Sequence, residues 1–188
     1  MKDKNLIIFD FDFTIAKTIE RISVRSPRGN YQIRDKLYKK IHPTEIQQFG
    51  IGDDELIDEN SYQEFYYLNK EKSKIIKPII PYIEYYNKDT YYILTARPQE
   101  LEGEIRVFLN NNNINTQFLT YVGLKNSSYK NKIKWIDSQM QKKDYKNIIL
   151  FEDNILFIKA AYAKYKQIEC YYIQHLRDTI VIKYMNKE

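Results

Sequence analysis

Two aspartates close the first apolar run of the chain: Leu6-Ile7-Ile8-Phe9 leads into Asp10-Phe11-Asp12-Phe13-Thr14. Residues two apart on a strand point to one side, so both carboxylates are expected in one pocket. Burying two like charges is costly without a cation or a shared proton. Mg²⁺ answers that need, because it takes oxygen ligands and is commonly held by one or two carboxylates together with phosphate. One carboxylate could then attack phosphorus to give an aspartyl-phosphate. The other could protonate the leaving oxygen and later activate water. The plain alternative is a solvated strand end or a helix cap.

Three further groups sit where a site could use them. Thr95 ends Tyr91-Tyr92-Ile93-Leu94-Thr95-Ala96-Arg97. A hydroxyl ahead of a helix N-terminus can hold a phosphate oxygen, or it can simply cap the helix that opens at Pro98. A lysine near Trp135 could balance the aspartates and a transferring phosphoryl group. Lys132 is the first choice, with Lys125, Lys130 and Lys134 as competitors, and a solvated helix face is the ordinary alternative for each. Glu152-Asp153 follows Ile148-Ile149-Leu150-Phe151 and could complete a metal site. Acidic residues also suit a helix N-terminus, so Asp153-Asn154 has a purely structural reading too.

The elements that must position these residues alternate. Short runs apolar on both faces occur at Leu6–Phe9, Tyr91–Leu94, Phe118–Val122, Ile148–Phe151 and Ile168–Ile173, as expected of central parallel strands. Helical spacing separates them: Leu101, Ile105, Phe108 and Leu109 after Pro98; Ile133, Ile136 and Met140; Ile155, Ile158, Ala161 and Tyr162. That alternation predicts an α/β fold, a parallel sheet joined by crossovers. Sites in such sheets form at the carboxyl ends of strands, and all four groups fall there or just beyond. Residues 19–77 break the rhythm. Ile22 and Val24, a turn at Ser26–Asn30, then Tyr31 and Ile33 predict a β-hairpin. A helix start is expected at His42-Pro43-Thr44-Glu45, an exposed loop over Gly50–Asn60, and a helix from Lys77-Pro78 through Tyr86. The tail from His175 to Glu188 could form a strand and a short helix closing the sheet edge.

Composition narrows the classes. The 188 residues suffice for one domain with a real core, with an insert at about 19–77. A net charge of +5 favours encounter with anions, including phosphate esters and nucleic acid, and a Lys-rich coding bias would also produce it. The abundant tyrosines fit an AT-rich coding genome better than an aromatic binding platform. The single cysteine, Cys170, excludes an internal disulfide and a cysteine zinc site, and its apolar setting suits a small buried hydrophobe. Two distant histidines, His42 and His175, argue against a histidine metal centre or a serine-protease triad. The N-terminal apolar run is too short for a signal peptide or a membrane span, so a cytoplasmic protein with no membrane partner is expected.

Taken together, this order of residues resembles the haloacid dehalogenase superfamily of aspartate-nucleophile phosphatases. Asp10, Asp12 and Thr14 match its first motif, Thr95 its second, Lys132 its third, and Glu152 and Asp153 its fourth. The resemblance covers roughly Leu6 to Ile173. Within the superfamily the layout is similar to small phage-type phosphatases, through Ile8–Thr14, Ile22–Ile33, Glu59–Tyr67, Ile93–Arg97 and Lys132 followed by Trp135-Ile136. The phosphatase domain of polynucleotide kinase–phosphatase is more distantly similar. The resemblance implies a three-layer Rossmann-like fold and a Mg²⁺-dependent phosphomonoester hydrolase. Asp10 would be nucleophile and metal ligand. Asp12 would be general acid/base, and a metal ligand through its carbonyl. Asp153 would bind Mg²⁺ directly, with Glu152 acting through water, and Thr95 and Lys132 would hold the phosphoryl group. One departure stands out: relatives often carry two aspartates followed by serine where this chain has Glu152-Asp153-Asn154. The longer side chain changes the metal geometry implied there.

The gap between Arg97 and Lys132 holds only a helix, a strand and a loop, so a large cap does not fit. The first gap reads as a small or absent cap. Such an open site would admit nucleotides, nucleic-acid ends or phosphoproteins, and the positive charge leans toward the first two. Arg97, Arg25 and Arg28 are candidate substrate contacts, each weighed against ordinary surface charge. A non-catalytic module that binds a phosphoryl ligand on the same fold is the competing reading. A response-regulator receiver domain is a third, opposed by the Asp-x-Asp-x-Thr spacing at the first strand.

Overall fold

The computed structural model describes residues 4–18, 21–25, 31–34, 56–57, 68, 72–124, 129–142, 145–177 and 179–185, with the backbone alone for 21–25, 31–34 and 56–57. In chain order the strands and helices begin with β1 (Asn5–Phe9), β2 (Ala16–Lys17), β3 (Arg21–Arg25), β4 (Tyr31–Arg34), β5 (Leu56–Ile57) and β6 (Lys74–Ile75). A 3₁₀ turn at Lys77–Ile79 runs into α1 (Ile80–Tyr86), then β7 (Tyr91–Thr95). A second 3₁₀ turn, Gln99–Leu101, runs into α2 (Glu102–Asn111), followed by β8 (Leu119–Gly123) and α3 (Tyr129–Lys142). The chain continues through β9 (Asn147–Glu152), α4 (Ile155–Lys164), β10 (Ile168–His175) and β11 (Ile180–Met185). Two compact units result: Met1–Lys17 with Lys74–Glu188, and Thr18–Ser73.

In the first unit six strands form one sheet in the spatial order β11-β10-β9-β1-β7-β8. All neighbours run parallel except β10 and β11. Leu6 to Phe9 are at most 1% exposed, as a strand covered on both faces must be. One face of the sheet buries Leu6, Ile8, Ile148 and Leu150 against Ile136 of α3 and Phe157, Ile158 and Ala161 of α4. The other face carries a cross-strand aromatic row: Phe9 stacks on Phe151 at 4.4 Å, and Phe151 on Tyr171 at 4.5 Å. Such cross-strand pairs contribute roughly 0.2–1 kcal/mol each. Cys170 is fully buried, as its sequence context suggests.

The helices end where local chemistry stops them. Leu101, Ile105, Phe108 and Leu109, the predicted stripe, are the buried residues from the second 3₁₀ turn through α2. Beyond α2 the chain turns through Asn112 and through Asn113 at φ 61°, a left-handed value that asparagine tolerates. Asn154 caps α4 by accepting a hydrogen bond from Leu156 N at 3.0 Å.

In the second unit β3 and β4 pair antiparallel, with Ile22 opposite Ile33 and Val24 opposite Tyr31. The expected turn at 26–30, the helix start at 42–45 and the stretch 59–67 lie outside the described residues. The expected loop over 50–60 needs correction, because Leu56–Ile57 forms β5 and pairs with β3. The tail agrees in part. His175 belongs to β10, and Ile180–Met185 forms β11 along that strand at the sheet edge, as expected, with no helix among the described residues after it. Pairing wins there because Ile180-Val181-Ile182 is a continuous β-branched run beside an edge that can take another strand. Among the described residues, no helix is long and apolar enough to cross a membrane.

Candidate active site

The strand order reverses between β1 and β9. From β1 the chain builds outward through β7 and β8 on one side, and through β9 and β10 on the other. The crevice beyond the carboxyl ends of two such strands is where parallel sheets bind ligands. Register brings the acidic residues to that point. Phe9 lies opposite Phe151, and Asp10 N donates to Phe151 O at 3.0 Å. Because side chains alternate, Asp10 continues the face of Leu6 and Ile8, and Glu152 the face of Ile148 and Leu150. That is the face α3 covers.

Lys132 is the buried cation of α3, on one side of the helix with Ile136. Its Nζ donates to Asp10 Oδ1 at 2.8 Å and to Glu152 Oε2 at 2.9 Å, and it also lies 5.3 Å from the centre of the Phe157 ring. Among its sequence competitors, Lys130 and Lys134 are exposed, and Lys125 lies outside the described residues. Burial, then the charge of Glu152, pushes Asp10 up to about 7 against the pull of Lys132. Burial likewise pushes Glu152 up to about 7. Burial opposes the charge on Lys132, yet Asp10 and Glu152 together hold its pKa above the ordinary value.

Carboxylate oxygens of Asp10, Glu152 and Asp153 lie within 4.8 Å of one another, close enough to hold one metal ion. Among the described residues, these three carboxylates gather beside the Lys132 ammonium. An oxygen-only donor set suits a hard divalent cation rather than a soft metal. Both oxygens of Glu152 are engaged: its Oε1 accepts from the backbone N–H groups of Asp153 and Asn154 at 3.1 and 3.0 Å, while its Oε2 accepts from Lys132 at 2.9 Å.

Asp12 lies on a second cluster beside the first. Arg97 Nη2 donates to Asp12 Oδ1 at 2.7 Å, and Arg97 Nε lies 3.0 Å from Oδ2 and 3.1 Å from Oδ1. Thr95 Oγ1 is 3.5 Å from Asp12 Oδ2 and accepts from Arg97 N at 3.2 Å. Thr95 therefore organises the turn after β7. It does not cap the following helix, whose N-cap is Pro98 with no side-chain bond. Arg97 corrects the sequence reading as well: it is 8% exposed and ion-paired, not ordinary surface charge. The missed signal was its place two residues beyond a strand-end threonine, on the rim of the crevice. Arg25 is described by its backbone alone, and Arg28 lies outside the described residues.

The segment joining the two clusters is a tight turn. Ile15 N and Ala16 N both donate to Phe11 O at 2.9 Å, and Phe13 N donates to Ala16 O at 2.7 Å. Phe13 takes φ 61°, left-handed in a non-glycine residue, at a cost of roughly 1–2 kcal/mol. The His175 ring nitrogen hydrogen-bonds to Phe13 O, which ties the end of β10 to this turn. Thr14 is fully buried, and its hydroxyl has no hydrogen-bond partner. Gly123 was also invisible from sequence. A Cβ there would stand 2.5 Å from Pro98 C and 2.7 Å from Arg97 O, so β8 can end against this turn only as glycine.

No protein-family model and no curated protein matches this chain. The functional reading therefore rests on the residues themselves.

Proposed function

We propose that the protein is a phosphomonoester hydrolase of the haloacid dehalogenase type, working through an aspartyl-phosphate and a Mg²⁺ ion. One observation carries the reading: Asp10, Glu152, Asp153 and Lys132 meet at the carboxyl ends of β1 and β9, beside Asp12 and Thr95. Asp10 is the nucleophile. Lys132 orients its carboxylate and offsets charge on the incoming phosphoryl group. Asp12 gives a proton to the leaving oxygen and takes one from the attacking water. Thr95 sits beside Asp12 to receive a phosphoryl oxygen. Asp10 and Asp153 would hold the cation, with Glu152 at its edge, and when bound it would supply positive charge to the phosphoryl oxygens. The net charge of +5 supports nucleotides or polynucleotide ends as substrates.

The test is release of inorganic phosphate from an aryl phosphate, nucleotides and 3′- or 5′-phosphorylated oligonucleotides, with Mg²⁺ and with EDTA. Turnover should need the cation, and Asp10→Asn should lower kcat by roughly a hundredfold or more. Wild-type turnover in Asp10→Asn would sink the nucleophile assignment. A non-catalytic phosphoryl-binding module is the second reading, favoured by the full engagement of Glu152 with Lys132 and the backbone. Binding of phosphorylated oligonucleotide without any phosphate release would decide for it.

A further inference from the structure

Arg97 was not part of the chemistry just described, yet it is among the most tightly held side chains near the crevice. It is 8% exposed, forks onto both oxygens of Asp12, and lies 5.8 Å from the centre of the Phe11 ring. Its own backbone N–H is tied to Thr95 Oγ1, so β7 holds one end of the residue and Asp12, beyond β1, holds the other. A guanidinium carries five donors and no acceptor. Whatever it holds in this fork must present accepting oxygens, in the plane of the guanidinium.

We propose that Arg97 is a positioning residue that holds Asp12 for the second half of the reaction, the hydrolysis of the aspartyl-phosphate. The inference rests on the phosphatase reading above. In the first half, an Asp10 oxygen bonds to phosphorus and the ester P–O bond breaks. The departing oxygen takes a proton from the Asp12 carboxyl. In the second half, the oxygen of water bonds to phosphorus and its proton passes to the Asp12 carboxylate. The acyl-phosphate P–O bond then breaks, returning the Asp10 carboxylate and free phosphate. The proton gained restores Asp12 for the next turnover. The second half needs Asp12 as an acceptor aimed at the water, and the planar fork of Arg97 on both Asp12 oxygens fixes that aim. Lysine at this position keeps the charge but not the planar fork.

The test is rapid mixing of p-nitrophenyl phosphate and Mg²⁺ with wild type, Arg97→Lys and Arg97→Gln. Thermal melting of each variant shows that it is folded, and Arg97→Lys keeps the test available if Arg97→Gln does not fold. Both variants should show a burst of about one nitrophenolate per site, then a steady state roughly 10- to 100-fold below wild type. The burst rate should change far less, and acid quench should trap phosphate on the peptide containing Asp10. Equal slowing of burst and steady state, or a lowered melting temperature with unchanged turnover, overturns the role of Arg97. If wild type releases no phosphate, the phosphatase reading itself fails, and that result is distinct from the first.

Discussion

Lys132 Nζ lies 2.8 Å from Asp10 Oδ1, although 122 positions separate the two residues. Both side chains are buried, and Glu152 closes the triangle. A cation held so by two carboxylates cannot be removed cheaply. Taking away one partner of a buried pair leaves uncompensated charge and costs about 3–5 kcal/mol. Lys132→Met should therefore unfold at markedly lower urea concentration than wild type. Added Mg²⁺ should recover part of the loss if the carboxylates hold a cation. A variant as stable as wild type in EDTA would contradict the geometry.

The same cluster predicts a pH dependence. Asp10 and Glu152 are both pushed up to about 7, well above the values of 3.8 and 4.5 from which they depart. Between those limits the folded state binds more protons than the unfolded state, so stability falls as pH rises. The slope per proton is about 1.4 kcal/mol per pH unit. In EDTA, this cluster should lower the melting temperature steadily from about pH 5 to pH 7, with a flatter response above. Saturating Mg²⁺ should flatten the decline, because a cation favours the ionised carboxylates. A melting temperature that rises across this window in wild type but not in a Glu152→Gln variant would refute the prediction.

Thr14 offers a test of function against stability. Its hydroxyl is buried without a partner, and an unsatisfied polar group costs about 1–3 kcal/mol. Thr14→Val keeps the shape and removes that cost, so the variant should melt at or above the wild-type temperature. If the hydroxyl serves the reaction, phosphate release should fall at the same time. Loss of both stability and turnover would instead mean that the hydroxyl has a partner in solution.

Gly123 should matter without touching any ligand. A methyl group there collides with the backbone of residues 97–99, and overpacking of this kind costs about 1–3 kcal/mol. Because Arg97 belongs to that segment, Gly123→Ala should also disturb its hold on Asp12. We expect a lower urea midpoint and a reduced kcat, with KM changed less. Normal turnover in a destabilised variant would separate this turn from the site.

The second unit, Thr18–Ser73, shows how far local pattern reaches. Its hairpin pairing follows from alternation at Ile22, Val24, Tyr31 and Ile33, a signal contained within a few residues. The two-residue strand at Leu56–Ile57 was illegible, because its partner is β3, some thirty residues earlier, and pairing at that distance leaves no periodic trace.

The site divides in the same way. That Asp10, Thr95 and Glu152 end or follow buried strands is a local property: apolar runs mark the strands, and the polar residue that stops each run marks its end. Those residue types at those ends already imply oxyanion or cation chemistry. Which lysine reaches Asp10 was open among four, because it depends on the rotation of α3 over the sheet. That rotation is set by packing of Ile136 and its neighbours, not by the helix's own sequence. The need for glycine at 123 likewise comes from where β8 meets the turn after β7, and the partner of Arg97 from where that turn meets the segment after β1. Contacts between elements distant in sequence are decided by the register and crossing of whole elements, and only the folded sheet supplies those.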